Sequence, residues 1–248
     1  MIELFSGLSQ WALTISVYQH AGHTQPQLTK PLPRRLSAHR YPPLDDPAQL
    51  AGFGGWQEDV YRDLLALQAG TLSQDAFDAR YLRRQAILVL DLTGFTENAI
   101  RAGAVRSFLR ILNAHKALIP VLLRHEATRI KTFADDLVAL FEQPGPALDA
   151  ALEIHQRTRD QADDALTPEG WPPCCIGIGW GLTYEIGPNL AMGDEMNRTS
   201  KLGEDIARGG ETLLTENAYD GLRGRVDVNF ELQTEDDLAF PYYRVDTI

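Results

Sequence analysis

Cysteine is nearly absent from this 248-residue chain: two residues, Cys174 and Cys175, adjacent to one another. Two cysteines adjacent in sequence support neither a disulfide framework nor a zinc site. The pair reads as strand packing, and a reducing cytoplasm fits. The six histidines show no ligand spacing. No glycine-rich loop ends in Lys-Ser/Thr, which excludes a P-loop ATPase. No apolar run reaches the roughly 20 residues of a membrane span. Residues 1–19 are moderately apolar but carry Glu3, Ser6, Ser9 and Gln10 and have no basic leader. That segment could touch a membrane or a partner, but contact of the protein with a membrane is not expected.

Basic charge is also scarce. Residues 1–84 balance eight Lys/Arg against eight Asp/Glu, which leaves 15 basic (23−8) and 26 acidic (34−8) side chains for the rest. The net charge of −11 therefore lies wholly in the C-terminal part. Such a surface repels nucleic-acid backbones, so no nucleic-acid partner is expected. An anionic nucleotide would need metal ions to enter. Hydrophobic content of 44% with 23% charged residues is that of an ordinary globular protein with a normal core.

Residues 20–55 are rich in Pro, Gly, His and Gln and read as loop or linker. Residues 56–84 read as helical, with Val60, Leu64, Leu65 and Leu67 near helical spacing and a break at Gly70. Simple packing on the following domain, or a dimerisation or input element, would both account for them. This predicts an N-terminal, partly helical extension over 1–83 and a second domain over 84–248.

The second domain begins with a strand at 85–91, followed by a helical stretch at 97–124. Ile100, Val105, Phe108, Leu109, Ile111 and Leu112 supply an apolar stripe there. Strands follow at 128–133 and 137–142, then a helix opened by Pro144 and Pro146. A strand at 174–181, a short one at 182–186, a helix at 194–208 ended by Gly209-Gly210 and strands at 226–233 and 240–246 complete the chain. The order β-α-β-β-α-β predicts an α+β fold of ferredoxin-like type, with an antiparallel sheet and helices packed on one side.

Two aspartates carry the chemistry. Asp91 ends the run Ala86-Ile87-Leu88-Val89-Leu90, and Asp135 lies in the turn Ala134-Asp135-Asp136 between two strands. A carboxylate at a buried strand end has lost water and needs a cation or donors in exchange. Two such ends together make a hard-oxygen site suited to Mg²⁺ or Mn²⁺, as in metal-dependent phosphoryl transfer. The alternation Gly177/Gly179/Gly181 is not a dinucleotide fingerprint, and a strand lying close against a helix explains it better.

Residues 84–246 resemble the catalytic domain of class III nucleotidyl cyclases, the adenylate/guanylate cyclase family. Five pieces in order carry the resemblance: Asp91-Leu92-Thr93-Gly94-Phe95-Thr96, Ile130-Lys131-Thr132-Phe133-Ala134-Asp135, Ile176-Gly177-Ile178-Gly179-Trp180-Gly181, the run Gly193 to Leu202, and Tyr242-Tyr243-Arg244-Val245. The resemblance implies that Asp91, Asp135 and the Leu92 carbonyl hold two Mg²⁺ or Mn²⁺ ions per site. Gly94, Phe95 and Thr96 would meet the triphosphate. Lys131 would read adenine, Leu190 would stand at the second base-reading position, Asn197 would orient the ribose and Lys201 would stabilise the transition state. It further implies a homodimer, with Asp91 and Asp135 from one subunit facing Lys131, Asn197 and Lys201 from the other. The product would be a 3′,5′-cyclic nucleotide for signalling, cAMP from ATP given Lys131.

Several positions depart from that family. Lys201 replaces an arginine and lacks its planar fork. Leu190 replaces Asp or Thr and cannot hydrogen-bond a base. Cys175 replaces an arginine found in many members, and Gln233 to Asp237 lacks a lysine that often contacts the terminal phosphates. Ala134 replaces a glycine, and the Asp135-Asp136 doublet leaves the second metal ligand open by one residue, with Asp135 selected by the motif. GTP or pyrimidine specificity, or a weak or inactive nucleotide-binding module, thus stand beside the adenylate reading.

Overall fold

A computed structural model describes residues 43–93, 103–162, 173–187, 191–235 and 238–248. The chain divides into two compact units, Met1–Leu72 and Ser73–Ile248. The described part of the first holds two helices, α1 (Pro47–Phe53) and α2 (Glu58–Gln68). The Asp46 carboxylate caps α1 by accepting from the Ala48 and Gln49 amides.

The second unit opens with α3 (Gln74–Tyr81), capped by Ser73, and passes directly into β1 (Leu82–Leu92). Then come α4 (Ala104–Arg124), β2 (Arg129–Phe133), β3 (Asp136–Phe141), α5 (Pro144–Ala162), β4 (Cys174–Glu185) and β5 (Ala191–Met192). The remainder is α6 (Asp194–Ser200), a π-helical turn (Lys201–Ile206), β6 (Thr212–Thr215), α7 (Glu216–Leu222), β7 (Val228–Gln233) and β8 (Tyr242–Thr247). Among the described residues the strands form one sheet in the order β2-β3-β1-β4-β6-β8-β7, with β5 paired to β4. This is the expected α+β architecture. All described pairings are antiparallel except β4 with β6.

The central strand explains its own sequence. Ala86 to Leu90 of β1 are fully buried, because packed layers cover both faces of the sheet. Leu88 and Leu90 join Leu118, Val121 and Leu122 of α4 and Leu148, Ala151 and Ile154 of α5 in the main core. Ile87 and Val89 point the other way and meet Val138, Leu140, Ala191 and Met196. The long helices share one face, as expected, while Met196 and the short α6 cover the opposite one.

The three glycines of β4 make that second layer possible. A Cβ on Gly177 would stand 2.3 Å from the Thr199 carbonyl oxygen and 2.7 Å from the Gly203 nitrogen. One on Gly179 would lie 2.0 Å from Thr199 Oγ1. The bare face of the strand admits helix backbone, which is the close approach the alternation suggested.

The apolar stripe of the 97–124 segment does not make the core contact. Its Ile100 lies outside the described residues and Ile111 is half-buried, whereas Val105, Phe108, Leu109 and Leu112 are exposed. The buried face is Ser107, Ala114, Leu118, Val121 and Leu122. These recur at helical intervals on the other side of α4, where small residues let the helix approach the sheet.

Candidate active site at the end of the central strand

Asp91 stands at the end of β1, where the ladder to β4 closes with Asp91 opposite Cys175 and Leu92 opposite Cys174. The Thr93 amide and hydroxyl both donate to the Pro173 carbonyl, at 3.2 and 2.7 Å. This fixes the direction in which the chain leaves the strand. Leu92 is buried.

The second acidic group comes from the β2–β3 turn. Phe133 pairs with Asp136, so Ala134 and Asp135 form a two-residue connection. Ala134 has φ of +51°, a left-handed conformation that favours glycine. The β1–β3 register, with Leu90 opposite Leu137, continues one step to set Asp91 opposite Asp136. The two carboxyls lie close enough to act on one another, and Asp135 adds repulsion to both. Burial first, then repulsion from Asp135, pushes Asp91 up to about 6. Burial, then Glu204, Asp135 and Asp91, push Asp136 up to about 8. Asp135 is raised by burial.

A fourth carboxyl reaches the group from the π-helical turn. Glu204 is pushed up to about 7, chiefly by burial, against a hydrogen bond with Ser200, with Asp205 and Asp91 adding repulsion. Its Oε1 is buried without a hydrogen-bond partner among the described residues. Close packing delivers this turn, since a Cβ on Gly203 would lie 2.8 Å from the Val89 carbonyl oxygen. Among the described residues no cation figures in the groups acting on Asp91, Asp135, Asp136 or Glu204.

That donor set suits a hard divalent cation, whose charge would relieve the mutual repulsion. Among the described residues no three His, Cys, Asp or Glu side chains converge closely enough to hold a metal by themselves. Oxygen atoms of a bound phosphate would have to complete the coordination.

Asn197 and Lys201 are four residues apart along α6 and its π-helical continuation, and both are exposed. No described residue hydrogen-bonds the Asn197 side chain, whereas Lys201 Nζ donates to Asp205 at 2.9 Å. Buried Glu195 fixes the start of α6. It accepts from the Trp180 amide at 2.9 Å, Thr215 Oγ1 at 2.5 Å and Asn217 Nδ2 at 2.7 Å, and so ties the helix to β4, β6 and α7. Lys131 stands apart, on the sheet-edge strand β2, with Nζ 4.4 Å from the centre of the Phe133 ring.

The structure therefore brings Asp91 and Asp135 together, with Leu92 beside them, and adds Asp136 and Glu204. Asp136 entered the sequence reading only as half of a doublet, and Glu204 did not enter it. A cross-strand register would have exposed the first, but a π-helical turn leaves no periodic signal for the second. Gly94, Phe95, Thr96 and Leu190 lie outside the described residues. Both cysteine thiols are buried and outside any disulfide, and burial pushes each up to about 12. A cavity of about 680 Å³ lies along α5, and much of its charged lining is paired internally, Arg225 with Asp149 and Asp227, Arg157 with Glu153. None of the carboxyls above lines it.

No protein-family model matches the chain, and no curated protein is similar to it in sequence. Solved structures are similar in fold. An adenylate/guanylate cyclase/hydrolase from Silicibacter pomeroyi superposes with a TM-score of 0.54 at 23% identity, over 66% of this chain and 95% of that one. The chain has the fold of nucleotidyl cyclase catalytic domains. The guanylyl cyclase Cya2 gives a TM-score of 0.55 at 19% identity, over 67% of this chain and 92% of that one. The catalytic core of a rhodopsin-guanylyl cyclase with converted specificity, in complex with ATPαS, gives 0.56 at 18% identity, over 67% and 98%. On this cyclase fold the carboxyl group sits at the end of the central strand and the Asn197–Lys201 face is open to solvent.

Proposed function

We propose that the protein is a nucleotidyl cyclase, converting a nucleoside triphosphate into a 3′,5′-cyclic nucleotide and pyrophosphate, with ATP to cAMP as the leading substrate and product. The observation that carries this reading is the gathering of Asp91, Asp135 and Asp136 at the end of β1 in a cyclase fold, with no cation among the described residues that act on them.

Asp91, Asp135 and the Leu92 carbonyl would hold two Mg²⁺ or Mn²⁺ ions in this reading. Such ions would supply acidification of the attacking 3′-hydroxyl and neutralisation of charge on the attacking and leaving oxygens. The chain itself positions the reactants. Gly94, Phe95 and Thr96 would meet the triphosphate, Lys131 would contact the base with Leu190 at the second base-reading position, Asn197 would orient the ribose and Lys201 would meet the phosphate. The exposure of Asn197 and Lys201 in a single chain supports a homodimer in which each subunit completes the other's site.

Incubation of the purified protein with ATP, GTP, CTP and UTP and Mn²⁺ tests the proposal. Cyclic product from at least one triphosphate is expected, and the pattern among the four reports base preference. One observation favours a second reading: Lys201 is already engaged by Asp205. Product from none of the four, in a folded and dimeric protein, would make the chain a regulatory nucleotide-binding module.

A further inference from the structure

Helix α4 is apolar on two opposite sides. One side is the core face through Ala114, Leu118 and Leu122. The other is a ridge of exposed side chains: Val105 at 71% exposure, Phe108 at 63%, Leu109 at 47%, Leu112 at 52% and Leu123 at 59%. Val105, Leu109, Leu112, Lys116 and Leu123 succeed one another at intervals of three, four and seven, so they form a single row along the helix. From Val105 to Leu123 the row runs for about 27 Å. Contiguous exposed apolar surface on this scale marks a contact site.

The charges on the helix itself are of one sign. Residues 104–124 contain Arg106, Arg110, Lys116 and Arg124 and no Asp or Glu, in a chain whose net charge is −11. Arg124 is held by Glu153, while Arg106, Arg110 and Lys116 make no ion pair among the described residues. Lys116 lies in the apolar row itself, where a long side chain can extend its ammonium past apolar neighbours.

We propose that this ridge docks on an anionic lipid surface. A basic helix with large apolar side chains on one line is the pattern of a helix lying in the plane of a membrane interface. The shape of the site favours that occupant. The opposite side of α4 is fixed in the core, so a partner that must wrap the helix is shut out. A convex ridge suits a fluid surface that deforms around it. A second α4 would set cations against cations. Nucleic acid has nothing to offer five exposed aliphatic and aromatic side chains. Acidic groups elsewhere do not forbid the contact, because charges beyond about 8 Å are largely screened at physiological salt. The expectation of no membrane contact followed from the lack of an apolar span, which does not register a local basic face. The contact is peripheral: no described helix is long and apolar enough to cross a membrane.

The test uses the full chain and does not involve nucleotide turnover, so it stands or falls separately from the cyclase assignment. Co-sedimentation is measured with phosphatidylcholine vesicles, with and without phosphatidylserine. Binding to the phosphatidylserine vesicles alone is expected, weakening as salt rises. Neutralising Arg106, Arg110 and Lys116 together is expected to weaken it on the order of 100-fold, taking each cation at about fivefold. Phe108→Glu with Leu112→Glu should abolish it while circular dichroism and thermal melting stay unchanged, since both positions face solvent. No binding to anionic vesicles, equal binding to neutral ones, or binding undiminished in either variant would overturn the proposal. So would self-association that Phe108→Glu abolishes in a protein that ignores vesicles, which would make the ridge a contact between copies.

Discussion

Asp91 and Asp136 stand next to each other one step beyond the Leu90–Leu137 pair of β1 and β3, and each is pushed above the usual carboxylate range, first by burial. Acidic groups directly opposite on adjacent strands destabilise a sheet unless a proton or a cation intervenes. The protein thus gives up stability at this point in return for affinity for positive charge. Asp136→Asn should raise metal-free stability by about 1 kcal/mol in urea denaturation and weaken Mn²⁺ binding measured by calorimetry. Unchanged Mn²⁺ affinity would remove Asp136 from the cation site.

The same balance of packing and chemistry governs the layer beneath. Gly177→Ala should cost about 3 kcal/mol, at the upper end for overpacking, because the new methyl meets backbone atoms of α6 and the π-helical turn. Backbone cannot rotate away as a side chain can. A variant melting like the wild type would show that α6 is free to lift off β4.

Much of this arrangement is legible in the sequence, for physical reasons. The fully buried β1 reads as an unbroken apolar run, and Asp91 stands out as the charge that ends it. The Asp135 turn is visible because strand-forming residues flank it. β6 and α7 are not legible: Thr212–Thr215 is four residues long, and Glu216–Leu222 buries only Ala218 and Leu222. The apolar stripe of α4 misleads in a different way. Periodicity reports that a helix has an apolar face but cannot tell which of two such faces meets the sheet. Glu195 looks like one more helix-surface acid until its three donors, all from other elements, are seen.

Lys201 is four residues from its partner Asp205, at 2.9 Å, and both are roughly half exposed. A surface pair of this kind exchanges readily. The lysine can therefore leave Asp205 for a phosphate, but it offers one point charge in place of a planar fork. Lys201→Arg should raise kcat about tenfold, on the scale of one improved transition-state contact, with little change in KM. An unchanged kcat would mean that this position is idle in the reaction.

His155 is buried and hydrogen-bonded through Nε2 to Thr212 Oγ1 at 2.9 Å. Burial, then the Arg159 charge, lower it from 6.5 to about 4. The folded state holds it neutral while the unfolded chain takes up a proton near pH 6.5. Its contribution to stability is thus fully present above that value and is lost as pH falls from 6.5 toward 4, by on the order of 3 kcal/mol. Denaturation of wild type and His155→Gln at pH 7 and at about pH 4.5 isolates the effect from that of the carboxyls, which titrate with the opposite sign. The wild type should lose more stability than the variant on acidification, and parallel losses would refute the assignment.

The central claim is that the carboxyls at the end of β1 hold the cations that make nucleotide cyclisation possible. The most direct measurement is cyclic-nucleotide formation by wild type and Asp91→Ala across a Mn²⁺ titration, with folding of both checked by thermal melting. The account predicts turnover that rises with Mn²⁺ in the wild type and none at any concentration in Asp91→Ala. Equal turnover in the two, or turnover that persists with a chelator in place of the metal, would contradict it.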